Sequence, residues 1–217
     1  MVKVIGAGLA GCEAAWQLAN AGIDTELYEM KPVKYSPAHH YSGFAELVCS
    51  NSLKASRIDS AAGLLKAEMK AMNSLVVKCA EESAVEAGGA LAVDRKQFSD
   101  LITQNIKSSE HIKVINEEVT EIPDGDVIIA TGPLTSDKLA ESISKICGEY
   151  LSFFDAASPI VTYESLDKNL VFFASRYDRG EADYINCPMN KEEYLEFYNA
   201  LINAESAELK DFDKKAF

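Results

Sequence analysis

The stretch Val2–Glu29, VKVIGAGLAGCEAAWQLANAGIDTELYE, constrains the fold more than any other part of the chain. It carries, in order, the parts of a dinucleotide-binding βαβ unit. Val2 to Ile5 is a short apolar strand, and Gly6 allows the tight turn that follows it. Gly8 lets the backbone approach a pyrophosphate, and Gly11 lets the next helix pack closely on the sheet. Ala7, Leu9 and Ala10 fill the turn and the amino end of that helix, which Gly22 ends. A second strand, roughly Asp24 to Tyr28, delivers Glu29 at its carboxyl end, 18 residues after Gly11. An acid there accepts hydrogen bonds from ribose hydroxyls and repels a 2′-phosphate. The glycines alone would also fit a plain strand-to-helix turn; the flanking strand, helix and spaced acid argue for a dinucleotide. The motif does not separate FAD from NAD.

Composition narrows the class. The 217 residues are 47% hydrophobic with a mean hydropathy of −0.08, ordinary for a globular protein able to bury a core. No run of about 18 apolar residues is present and the amino terminus enters a strand at once, so neither a transmembrane helix nor a signal peptide is expected. The default compartment is the cytoplasm. Five cysteines, Cys12, Cys49, Cys79, Cys147 and Cys187, are widely spaced with no C-x-x-C pair, so neither a disulfide framework nor a zinc site is indicated. Cys12, Cys79 and Cys147 read as small apolar fillers. A net charge of −13 argues against nonspecific adhesion to nucleic acid or an anionic membrane, though not against a local basic groove.

Along the chain, Met30 to Ser56 has no sustained periodicity and reads as a long loop, the kind that often carries function. Asp59 is placed to cap a helix from about Ser60 to Glu86, with Leu64, Leu65, Met69, Met72, Leu75 and Val76 at near-helical spacing, ending at Gly88-Gly89. Asp94 caps a second helix, Arg95 to about Lys107, whose apolar face is Phe98, Leu101, Ile102 and Ile106. Short strands are expected at His111–Asn116 and Glu118–Ile122. Asp126–Ala130 is a buried parallel-type strand running into Thr131-Gly132-Pro133, which puts small residues and free N–H groups at a sheet's carboxyl edge, where ligands of open α/β sheets bind. A helix follows over Lys138–Cys147. From about Ser152 the texture turns aromatic and β-branched, then helical from about Lys191 to Ala204, as in a second, mixed subdomain that ends in a charged tail.

The segment Tyr35–Lys54 concentrates His39, His40, Glu46, Cys49, Ser50, Asn51, Ser52 and Lys54 close after the nucleotide motif. Cys49 precedes a polar Ser-Asn-Ser run suited to capping a helix or to aiming N–H groups at a flavin's polar edge; a thiol so placed can act as a nucleophile. A buried cysteine in a tight turn is the competing reading, and both stay open. Adjacent His39 and His40 point apart in an extended loop with no third ligand at helical spacing, so no metal site is expected. No Gly-x-Ser-x-Gly elbow supports a serine hydrolase. Arg57, Lys66 and Lys70 read as a solvated helix face rather than a basic edge.

The runs GAGLAGCEAAWQLANAGI, YEMKP, SPAHH, FAELVCSNSL, GLLKAEM, AGGALAVDR, ATGPLTS, DAASPIVTYES and ADYINCPM, in order over nearly the whole chain, closely resemble the TrmFO (Gid) family. These are folate- and FAD-dependent tRNA (uracil-5-)-methyltransferases that form 5-methyluridine in the tRNA T-loop. The resemblance implies an α/β fold: a Rossmann-type FAD-binding domain over residues 1–151, with an active-site loop at 30–56, and an inserted mixed α/β subdomain, incomplete, over 152–217. It implies that Gly6, Gly8 and Gly11 hold FAD pyrophosphate and Glu29 its ribose, and Ala7, Leu9, Ala10, Thr131 and Gly132 are expected to bind the cofactor with them. It further implies Cys49 as a catalytic cysteine near the flavin, 5,10-methylenetetrahydrofolate as methylene donor, NAD(P)H as reductant, and tRNA as partner. The family's second cysteine, its favoured uracil nucleophile, would fall just beyond Phe217, so the 217 residues alone are expected to be inactive. Alternatives are a sister enzyme acting on ribosomal RNA, a GidA-like enzyme of the wobble uridine, and a non-catalytic flavin-binding fragment that binds nucleotide or a partner protein.

Overall fold

The computed structural model describes residues 1–148, 161–175 and 181–205. The chain divides into two compact units, Met1–Phe153 and Phe154–Phe217. The aromatic run at 153–160 and the charged tail from Glu208 lie outside the described residues.

The first unit opens with the βαβ unit the sequence predicts: β1 (Val2–Ile5), α1 (Leu9–Asn20) and β2 (Thr25–Tyr28). β3 (Ser52–Ala55), α2 (Ala61–Ala71), α3 (Leu75–Glu82), β4 (Ala84–Val85) and β5 (Ala90–Val93) follow. After these come α4 (Arg95–Ser108), β6 (Ile112–Ile115), β7 (Val127–Ile129) and α5 (Asp137–Cys147). β6, β2, β1 and β7 form one sheet in that spatial order, and every pairing is parallel. The chain leaves β1 toward β2 on one side and returns as β7 on the other, so the carboxyl ends of β1 and β7 flank a topological switch point, where open α/β sheets bind ligands. β3, β5 and β4 make a separate antiparallel sheet.

Alternation along the strands sorts the main sheet's faces. Val4 and Leu27 point into a core shared with Cys12 and Ala15 of α1, Leu75 and Cys79 of α3, and Phe98, Ile102 and Ile106 of α4. On the opposite face Lys3, Glu26 and Lys113 stand in register across β1, β2 and β6. The Lys113 ammonium lies 3.0 Å from one Glu26 oxygen and the Tyr28 hydroxyl donates to the other at 3.0 Å, which together hold the Glu26 carboxyl below its ordinary pKa.

Five local expectations are corrected. The helix predicted over Ser60–Glu86 is two helices, capped at Ser60 and Ser74 rather than at Asp59. Asn73 takes a left-handed φ of 59° and ends the first, after which the Ser74 hydroxyl accepts from the Val77 N–H and restarts the chain. α1 stabilises this break: the Trp16 indole and Gln17 amide donate to the carbonyls of Asn73 and Met72, and Glu13 accepts from Ser74 and Val76. Gly88-Gly89 therefore does not end a helix but turns β4 into β5. Glu118–Ile122 is not a strand, and the long loop after Glu29 ends in one, β3, paired with β5. Cys147 is exposed, unlike the buried Cys12 and Cys79. The Asp94 carboxylate does cap α4, accepting from the Gln97 N–H at 2.8 Å.

In the second unit, β8 (Phe172–Ala174) pairs antiparallel with β9 (Tyr184–Asn186). α6 (Lys191–Ile202) follows, closed at its amino end by a reciprocal Asn190–Glu193 capping box.

Two outcomes check the packing. Phe98 is fully buried, so Phe98→Ala is expected to cost about 3–5 kcal/mol in urea unfolding; a loss below 1 kcal/mol would contradict its place in the core. Burial pushes the Cys79 thiol up to about 11 and the Cys12 thiol higher still, so a thiol reagent at neutral pH should label Cys49, Cys147 and Cys187 quickly and leave those two untouched until the chain unfolds. Early labelling of Cys12 would contradict the helix packing.

Candidate functional site

A cleft of ≈ 350 Å³ lies at the carboxyl ends of β1, β2 and β7. Its floor is the turn from β1 into α1. Gly6 adopts φ 95°, which other residues rarely reach, and a side chain there would meet the Ala130 carbonyl oxygen at 2.9 Å. At Gly11 a Cβ would sit 1.8 Å from the Gly6 carbonyl oxygen, so only glycine lets α1 start against the turn. Gly8 differs: the nearest protein atom to an added Cβ is the Ala130 carbonyl oxygen, 4.0 Å away. No protein group fills the space above Gly8, so its bareness serves what enters the cleft.

α1 begins there without a side-chain cap and without an acidic residue in its first turn. Its first N–H groups have no acceptor within the helix, and the helix dipole adds partial positive charge at that end. Ala7, Gly8, Leu9 and Ala10 all line the cleft, so its floor is the electropositive start of a helix, a setting suited to an anion.

Glu29 lies at one wall and is 7% exposed. One carboxylate oxygen accepts from the Ala7 N–H at 2.8 Å and the other from the Lys31 N–H at 3.0 Å. Both bonds orient the carboxylate and leave each oxygen a second lone pair able to accept from a ligand. Thr131 and Gly132 line the opposite wall, where β7 runs into a one-turn 3-10 helix and Gly132 takes a φ of 64°. The hydroxyls of Thr131 and Thr135 lie 2.6 Å apart, and Thr135 also donates to the Gly132 carbonyl.

The structure therefore brings Gly6, Ala7, Gly8, Leu9, Ala10, Glu29, Thr131 and Gly132 to one cleft, with Gly11 behind it as a packing residue. Cys49 is exposed, which removes the buried-thiol reading, and it directly follows Val48, which lines the cleft. The polar run after it caps no helix. The Ser50 hydroxyl accepts from the Ser52 N–H, while Asn51 exchanges two hydrogen bonds with Val93 of β5, fixing the segment where β3 begins.

His39 and Glu46 of the polar segment singled out above also line the cleft, as do Lys31 and Glu117–Val119, for which the sequence signalled no site role. His39 is held below the ordinary histidine pKa, first by burial and then by the Lys31 charge; its Nδ1 lies 2.6 Å from the Ser36 hydroxyl. Glu117–Val119 follow β6 as Glu29 follows β2, and the carboxyl end of each parallel strand was the available signal. Reading Glu118–Ile122 as a strand hid it. Among the described residues no group of three or more His, Cys, Asp or Glu is placed to hold a metal ion.

The chain is 61% identical over 216 residues to the methylenetetrahydrofolate–tRNA-(uracil-5-)-methyltransferase TrmFO of Acetivibrio thermocellus, covering 99% of this chain and 50% of that protein. Its identity to the TrmFO of Bacillus subtilis is 56% over 217 residues, again 50% of the relative's length. The chain thus spans about half the length of the curated relatives it matches. The solved Aquifex aeolicus GidA, in its form I crystal, aligns with a TM-score of 0.49 at 18% identity, over 61% of this chain and 25% of that one. The family model described as glucose inhibited division protein A matches residues 1–217, and the chain belongs to that family.

Proposed function

We propose that the chain supplies the FAD-binding half of a methylenetetrahydrofolate-dependent enzyme that methylates uridine C5 in the tRNA T-loop. One observation carries this reading: relatives named for that reaction match essentially the whole chain at 54–61% identity. The cleft supports the cofactor. Its bare floor above Gly8 suits a pyrophosphate, and Glu29 suits the ribose beside it. Residues 1–151 are the FAD domain and 152–217 the start of an inserted subdomain.

When bound, FAD carries the two electrons, drawn from NAD(P)H, that take the folate methylene to the oxidation level of a methyl group. The residues of this chain bind and orient. The amino end of α1 neutralises the pyrophosphate, Glu29 fixes the ribose, and Thr131 and Gly132 close the side away from β2. Cys49, exposed and next in sequence to Val48 of the cleft lining, is the residue we assign to the reacting centre. A surface charge of −13 leaves attraction of a polyanionic RNA to local basic groups rather than to the chain as a whole.

Two variants of a full-length protein test the reading. At Gly8→Val the new Cβ meets no clash, its nearest protein atom being the Ala130 carbonyl oxygen at an ordinary 4.0 Å. This variant should fold at parental stability and purify without flavin; parental flavin content would place the pyrophosphate elsewhere. Cys49→Ala removes an exposed side chain and should change stability by no more than about 0.5 kcal/mol. It should lose most 5-methyluridine formation on unmodified tRNA, and a variant with parental turnover would strip Cys49 of a catalytic role.

A further inference from the structure

Lys31 is 4% exposed, and a lysine is seldom buried unless its charge and protons are matched. Its ammonium has three protons and finds three acceptors: the Tyr41 carbonyl at 3.0 Å, the Gly43 carbonyl at 2.6 Å and Glu46 Oε2 at 3.5 Å. Its backbone is held as firmly, donating to Glu29 and accepting from the Asn116 amide at 2.6 Å. The other Glu46 oxygen accepts from the His40 and Tyr41 N–H groups, both at 3.0 Å. The Ala45 N–H returns to the Ala7 carbonyl at 2.8 Å.

These bonds close a ring. Ala7 of the glycine turn bonds Glu29, Glu29 bonds Lys31, Lys31 bonds Gly43, and Ala45 bonds Ala7 again. We propose that Lys31 is a positioning residue for the reaction proposed above: its buried ammonium locks the 41–46 segment onto the nucleotide turn and so sets where Cys49, three residues beyond Glu46, stands relative to the flavin. With its three protons taken, the ammonium has none to offer a ligand, which separates this role from direct binding of phosphate or substrate. The proposal rests on the flavin reading, and the test separates the two.

In the 217-residue chain carrying Cys147→Ser and Cys187→Ser, Cys49 is the remaining exposed thiol. Its rate of modification by an aromatic disulfide is measured with and without saturating FAD, and FAD affinity is followed separately by flavin fluorescence. FAD should slow modification by about tenfold in this parent; in Lys31→Met the rate without FAD should rise by about tenfold and the slowing by FAD should shrink to about twofold, because two buried carbonyls and a carboxylate lose their donor and the segment opens. Glu46→Gln, milder because its amide oxygen still accepts from His40 and Tyr41, should move both rates the same way by a smaller factor, and it decides the matter should Lys31→Met not fold. Parental rates in both variants, or FAD binding that leaves the parent's Cys49 rate unchanged, would overturn the proposal. FAD that fails to bind the parent refutes the cofactor reading instead; the rates without FAD then decide, a rise in the variants supporting the lock and no rise overturning it.

Discussion

A buried carboxylate joins the parts on which the rest of the site depends. Glu29 leaves β2 at the sheet's carboxyl edge and accepts from Ala7 in the turn before α1 and from Lys31 at the start of the long loop. A charge taken out of water is stable only when hydrogen bonds replace its hydration. Here they come from backbone N–H groups whose positions the fold already fixes. The constraint runs both ways: Gly11 lets α1 start against the Gly6 carbonyl, which puts Ala7 in reach of Glu29, and Glu29 in turn holds the loop that walls the cleft.

The cleft's electrostatics are divided. Glu29, Glu46, Glu117 and Glu118 all line it, in a chain already at −13, yet its floor is the positive end of a helix. Glu46 is paired with Lys31 and Glu118 with Lys34, so the uncapped helix start over Gly8 is where an anion is favoured, and Glu29 and Glu117 disfavour one beside them. Groups with hydroxyls to donate meet carboxylates instead. A molecule with a phosphate linkage in its middle and polyhydroxyl chains on either side fits this distribution, and flavin adenine dinucleotide is such a molecule.

The β1–α1–β2 unit was legible because its information is local: glycine spacing, an apolar strand on each side and an acid at a fixed distance. The Asp94 cap of α4 and the strand before Thr131 were legible for the same reason, although Ile128 and Ile129 of that strand are exposed rather than buried as expected. The break at Asn73 was not, since Leu64, Leu65 and Met72 continue a helical period although they are exposed, 47%, 56% and 64%. What stops the helix is a left-handed residue supported by Trp16 and Gln17, more than fifty residues earlier in the chain. β3 escaped notice because its pairing partner, β5, lies well downstream. Lys31 escaped because a lysine beside a proline looks like solvent-facing loop until the acceptors around its ammonium are seen.

The central claim is that FAD seats its pyrophosphate on the turn before α1 with Glu29 at its ribose, and hydrogen–deuterium exchange of the chain with and without FAD tests it most directly. The account expects FAD to slow exchange at Gly6–Gly11 and at Thr131–Ser136, with unchanged exchange in the antiparallel β3–β5–β4 sheet. Binding of FAD that leaves the Gly6–Gly11 amides unprotected would contradict it.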